Sequence, residues 1–141
     1  MRRRKPQSKA GALAGVPLFA GCSKGDLSRI ARIADEIDLP EGKALIREGD
    51  SARQFFVLLD GWAEVRRKGR KVNTMGPGDF FGEIGLITDR LATATVTTTS
   101  PARAVVITRA SFKGMLRDAP GVQLKVLQAL AQRIPGLILE L

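Results

Sequence analysis

Residues Phe80 to Val96 read F-F-G-E-I-G-L-I-T-D-R-L-A-T-A-T-V, and most of the chemically suggestive residues of the chain fall in this stretch. Gly82 and Gly85 flank a carboxylate, Glu83, within a run that predicts one short helical turn from Gly82 to Ile87. The first N–H groups of such a turn have no intrahelical acceptor, and with the turn's dipole they suit an anion. Glycine at 82 and 85 lets backbone approach a ligand that a side chain would hold away. Taken alone, Glu83 complements the positive end of the turn. Arg90 supplies a cation. It either reaches back towards an anion on the turn or points into water from a loop. This is a set for binding an anion, and a set for turning one over is missing. The chain has no histidine, no lysine-bearing phosphate loop and no cluster of metal-ligating spacing. The expectation is therefore a non-enzyme, with no catalytic residue and no metal.

At 141 residues the chain has room for one domain around a single core. Hydrophobic residues at 44% and charged residues at 26% argue for a folded globular protein. The net charge of +9 suggests a nucleic-acid or membrane-surface partner until its distribution is read. Arg2, Arg3, Arg4, Lys5 and Lys9 lie in the N-terminal stretch, and Arg66, Arg67, Lys68, Arg70 and Lys71 lie in one short run. Without those ten cations the chain is close to neutral. The segments Arg2–Lys5 and Arg66–Lys71 are therefore read as a leader and a solvated hairpin tip. The single cysteine, Cys22, excludes an internal disulfide and points to a reducing compartment, the cytoplasm. One alternative covers the same residues. Basic Arg2–Lys5, apolar Ala10–Ala20 and Phe19-Ala20-Gly21-Cys22 resemble a lipoprotein signal processed at Cys22, although Gly11, Gly15 and Pro17 interrupt the apolar run.

These residues need a scaffold, and the punctuation of the chain indicates which. Residues 1–14 read as a basic flexible arm. Ser23-Lys24-Gly25-Asp26 has capping-box character, and Leu27, Ile30, Ala31, Ala34 and Ile37 recur at helical spacing, predicting a helix to about residue 36. From Ile37 to Thr108 short apolar runs alternate with glycines, which predicts a mainly β region of short strands. Lys68-Gly69 reads as a hairpin turn, Ala92–Thr99 and Ala104–Thr108 as strands, and Pro101 as the turn between them. Trp62 is expected to pack on this barrel or hairpin. Thr108 caps a short helix and Pro120 opens another, with Leu124, Leu127, Leu130, Ala131 and Ile134 as its core-facing stripe. Pro135-Gly136 ends that helix, leaving an apolar tail at 136–141.

Laid ungapped from Phe81 to Val96, the chain resembles the phosphate-binding cassette of cyclic-nucleotide-binding domains, with Phe81, Gly82, Glu83, Leu86, Ala94 and Val96 in the family's frame. The resemblance extends over about residues 16–134. Leu39-Pro40-Glu41-Gly42, Ile46-Arg47-Glu48-Gly49-Asp50, Phe56-Val57-Leu58-Leu59-Asp60-Gly61 and Gly76-Pro77-Gly78-Asp79-Phe80 follow the same glycine frame in order. The likeness is to the effector domain of catabolite activator proteins and to kinase regulatory subunits. It implies an eight-stranded jelly-roll barrel flanked by N- and C-terminal helices, spanning residues 15–135.

The resemblance also implies a ligand site made by Phe81, Gly82, Glu83, Ile84, Gly85, Leu86, Arg90, Ala92, Thr93 and Ala94. In such a site Glu83 accepts a hydrogen bond from a ribose 2′-hydroxyl. A threonine at position 93 can reach a guanine base, which hints at cGMP rather than cAMP. One departure is prominent: the family's Pro-Arg falls on Leu91 and Ala92. A charge-assisted bidentate contact contributes roughly 1.5–3 kcal/mol, so its loss alone weakens binding about 10- to 100-fold. If residues 90–92 are extended, Arg90 lies on the same face as Ala92, about 7 Å along the strand, and is the candidate substitute. Two functions follow. One is a cAMP or cGMP sensor acting on a separate effector protein or on a second copy of itself. The other is a degenerate member of the fold that lost the phosphate arginine and serves as a protein-interaction module.

Overall fold

A computed structural model of the chain describes residues 9–133. The expected leader Arg2–Lys5, Ile134, the Pro135-Gly136 stop and the 136–141 tail lie outside the described residues. Three helical pieces open the fold: α1 (Lys9–Ala14), one 3-10 turn (Pro17–Phe19) and α2 (Lys24–Ile33). The flexible arm expected at 1–14 is therefore already helical from Lys9, because Leu13 is fully buried and the Lys9 ammonium donates to the Ala34 carbonyl at 2.6 Å. Ser23 caps α2 as its spacing predicts, its hydroxyl accepting from the Asp26 N–H at 3.1 Å. The helix ends at Ile33 rather than near residue 36, since Ala34 turns extended and pairs with Ile107.

Eight strands follow: β1 (Ala34–Leu39), β2 (Ala44–Ile46), β3 (Gln54–Asp60), β4 (Ala63–Arg67), β5 (Arg70–Met75), β6 (Phe80–Phe81), β7 (Thr95–Thr98) and β8 (Ala102–Thr108). They form two antiparallel four-stranded sheets, β1-β8-β3-β6 and β2-β7-β4-β5. The jelly-roll expectation holds in this opened form: the eight strands are divided between facing sheets and do not close into a barrel. Lys68 and Gly69 join β4 to β5 with φ of 52° and 78°, a pair of left-handed residues that matches a twisted two-residue hairpin. Trp62 is half-exposed, with its ring lying over Gly76.

The apolar runs of β3 and β8 have a simple cause. Phe55 and Val57 of β3 and Val105 and Ile107 of β8 face a helical layer, while Phe56, Leu58, Ala104 and Val106 face the second sheet. Strands buried on both sides lose the polar alternation of a half-exposed strand. Phe55 stacks on Phe112 at 4.5 Å, and Phe56 stacks on Phe81 at 5.3 Å.

Between β6 and β7 lies α3 (Glu83–Thr88), and after β8 come α4 (Arg109–Asp118) and α5 (Pro120–Arg133). Thr108 caps α4, accepting from the Ser111 N–H, and Pro120 opens α5. The face of α5 differs from expectation. Val122 and Val126 are buried, whereas Leu124 and Leu127 are 58% and 54% exposed. Helix α5 packs on the Pro17–Phe19 turn, α3 and α4, and these neighbours select the valine face.

The residues resembling a lipoprotein signal belong to this core. Leu13, Val16, Leu18 and Phe19 are all buried, so cleavage ahead of Cys22 would remove four core side chains. No helix among the described residues is long and apolar enough to cross a membrane.

Candidate functional site

A cavity of about 330 Å³ opens between the second sheet and α3. That volume is at the lower end of the range for small-molecule sites, roughly 300–1,000 Å³. Apolar walls come from Ile46, Val65, Val72 and Met75, while Gly82, Glu83, Ile84 and Gly85 form the side made by α3. Ala92, Thr93 and Ala94 close it from the segment leading into β7.

Two glycines let α3 sit where it does. Gly82 adopts φ of 100°, and a Cβ there would lie 2.6 Å from the Gln54 carbonyl oxygen. A Cβ on Gly85 would lie 2.5 Å from the Ala52 methyl. The demand for glycine thus comes first from seating the turn on β3 and the loop before it. Glu83 is fully buried and is the single acidic residue among those lining the cavity.

The segment at 91–94 is pinned by backbone. The Ala92 N–H donates to the Asp50 carbonyl and its carbonyl accepts from Gly49, both at 2.8 Å. This directs the Ala92 side chain to the cavity wall.

Of the site residues expected from sequence, Phe81, Gly82, Glu83, Ile84, Gly85, Ala92, Thr93 and Ala94 come together around the cavity. Leu86 does not join them; it is fully buried in the core beneath the helices. Arg90 is exposed and absent from the lining; its N–H donates to the Thr88 hydroxyl, and its carbonyl lies near Gly85. Residues 90–92 are not a strand, because α3 ends in a left-handed Asp89 (φ 56°) that turns the chain away.

Arg67 was missed. It lines the cavity from the end of β4, and its Nε donates to the Thr93 carbonyl at 3.2 Å. Strand alternation carried the signal: Ala63, Val65 and Arg67 share one face, and Val65 lines the same cavity. Its neighbour Arg66 faces outward, pairing with Glu64 at 2.6 Å.

Residues 36–119 match the family model described as the cyclic nucleotide-binding domain. The chain belongs to the cyclic nucleotide-binding domain family. It is 26% identical over 127 residues to a CRP-like cAMP-activated global transcriptional regulator of Mycobacterium tuberculosis, covering 86% of this chain and 57% of that one. It is 32% identical over 105 residues to the cAMP-dependent protein kinase regulatory subunit of Schizosaccharomyces pombe, covering 74% of this chain and 26% of that one. The regulatory subunit of a cAMP-independent protein kinase A from Trypanosoma brucei shares the fold, with a TM-score of 0.77 at 20% identity over 91% of this chain and 46% of that one. The chain thus spans little more than half of the regulator and about a quarter of the fission-yeast subunit. The matched residues include the stretch from Phe81 to Val96 that contributes to the cavity wall.

Proposed function

We propose that this chain is a regulatory domain that takes cAMP or cGMP in the cavity and passes its occupancy to an effector protein or to a second copy of itself. The observation that carries the reading is the convergence of Gly82, Glu83, Ile84, Gly85, Ala92, Thr93 and Ala94 on one cavity of ligand size. Backbone N–H groups of the α3 turn and the phosphate meet on one side. Glu83 accepts from the ribose 2′-hydroxyl, and the base lies along Val65, Val72 and Met75. Binding alone is required, with no turnover of the nucleotide and no metal. The natural setting is the cytoplasm, where such messengers are made. The functional unit is residues 15–135 together with the helix now seen from Lys9.

A route for output follows from packing. Helix α3, which carries Glu83, also contacts α4 and α5. A ligand that binds one placement of α3 better than another shifts α4 and α5 with it, by its differential affinity for the two states. The partner reads that shift.

Calorimetric titration of the purified, folded protein with cAMP and cGMP tests the reading, with Glu83→Gln and the 2′-deoxy nucleotides alongside. Saturable binding is expected, with a ribose preference that Glu83→Gln removes. Flat heats for both nucleotides refute it. The second reading, an interaction module without nucleotide, then stands on the alanine at 92.

A further inference from the structure

Among the described residues, sixteen line the cavity and one of them is a cation, Arg67. It enters from β4, the strand next to β7, and the β4–β7 register runs Ala63↔Thr98, Glu64↔Thr97, Val65↔Val96 and Arg66↔Thr95. One more step places Arg67 beside Ala94, on the same inward face as Val65. Arg67 is an exposed residue. Its Nε bond to the Thr93 carbonyl holds the guanidinium at the rim of the cavity, beside the residue that follows Ala92, and uses one of the five donors of the fork. Arg90, the arginine nearest in sequence, stands outside the cavity. We infer that Arg67 is the cation that holds the ligand's cyclic phosphate, supplied from β4 in place of the guanidinium that the family carries at position 92. This inference rests on the cavity's being a cyclic-nucleotide site. It adds that the site is charge-complete by another route.

The chemistry is a fork of N–H donors facing the exocyclic oxygens of a monoanion. Arginine matches that geometry in two parallel bonds, whereas lysine offers a point charge. The Thr93 carbonyl orients the guanidinium before the ligand arrives, which lowers the cost of ordering a long side chain.

The test is calorimetry on the whole chain and on Arg67→Ala, Arg67→Lys and Arg90→Ala, each shown folded by its melting curve. The ligands are cAMP, cGMP, adenosine and guanosine. Arg67→Ala is expected to weaken the cyclic nucleotides about 10- to 100-fold and to leave the uncharged nucleosides unchanged. Arg67→Lys is expected to recover part of the loss, and Arg90→Ala to bind within about twofold of the unchanged protein. Three results would overturn the inference while leaving a nucleotide site: no effect of Arg67→Ala, an equal loss for nucleotide and nucleoside, or unchanged protein binding nucleosides as tightly as nucleotides. No binding of any cyclic nucleotide by the folded, unchanged protein refutes the functional reading itself, and this inference with it.

Discussion

Replacing Ala92 with arginine restores the family's guanidinium and asks whether Arg67 already does its work. The backbone at 92 is held on both sides by Gly49 and Asp50, so the new side chain starts from a fixed point on the cavity wall. In an Arg67→Ala background, one bidentate contact should add about 1.5–3 kcal/mol, a gain of roughly 10- to 100-fold in affinity for cAMP or cGMP. In the unchanged background the gain should be much smaller. A cyclic phosphate has two exocyclic oxygens, and one fork takes both, so two arginines compete for the same acceptors. Mutual repulsion of the guanidiniums does not itself weaken binding, because it acts with and without ligand. It should lower the stability of the free protein only slightly, by less than about 1 kcal/mol, because Arg67 is exposed and the repulsion is screened. Calorimetry on the four proteins closes a double-mutant cycle. A coupling of at least about 1 kcal/mol is expected for groups sharing one partner. Equal gains from Ala92→Arg in both backgrounds would refute the reasoning, placing Arg67 away from the phosphate.

Three further outcomes follow from the fold. Gly82→Ala combines a φ of 100° with a Cβ 2.6 Å from the Gln54 carbonyl oxygen, and should cost about 2–4 kcal/mol in urea unfolding; a loss below about 1 kcal/mol would mean that the turn reseats freely. Val122→Ala should cost about 1.5–3 kcal/mol and Leu124→Ala less than about 0.5 kcal/mol, and the reverse order would contradict the observed face of α5. Burial, and then the Asp26 carboxylate, push the Cys22 thiol above its ordinary value, with Lys125 pulling the other way. The folded state therefore favours the neutral thiol, a contribution present below the ordinary thiol pKa of about 8.5 and lost as pH rises through the raised value. Iodoacetamide labelling of folded protein should reach half its maximal rate at a higher pH than in urea; an equal midpoint contradicts the burial.

What the sequence disclosed was mostly local. Ser23 and Thr108 announce their helices because each hydroxyl accepts from an N–H three residues on. Lys68-Gly69 announces its hairpin because the turn itself demands two left-handed residues. That Gly82, Glu83, Gly85, Ala92 and Ala94 would meet was legible because they sit within one short stretch, and they do line one cavity. The misread features depended on distant partners. Helix α2 ends at Ile33 because Ala34 pairs with Ile107, and nothing near residue 34 signals that. Arg67 looked like one more cation of a basic run, and only the pairing of β4 with β7 carries it to Thr93.

Helix α5 shows why such a face cannot be chosen from pattern alone, and why the choice matters. Val122 and Val126 are one stripe and Leu124 and Leu127 are another, both at helical spacing, so periodicity permits either. The Pro17–Phe19 turn, α3 and α4 accept the smaller valines, which leaves the leucines facing out. The consequence is functional. The helix that touches the cassette's own turn on one side presents two large apolar residues on its exposed surface. On the proposed function, a shift of α3 on ligand binding would reach an element whose outer face carries two exposed leucines. The same arrangement would serve the nucleotide sensor and the interaction module, and the two differ only in whether the cavity sets the position of α3.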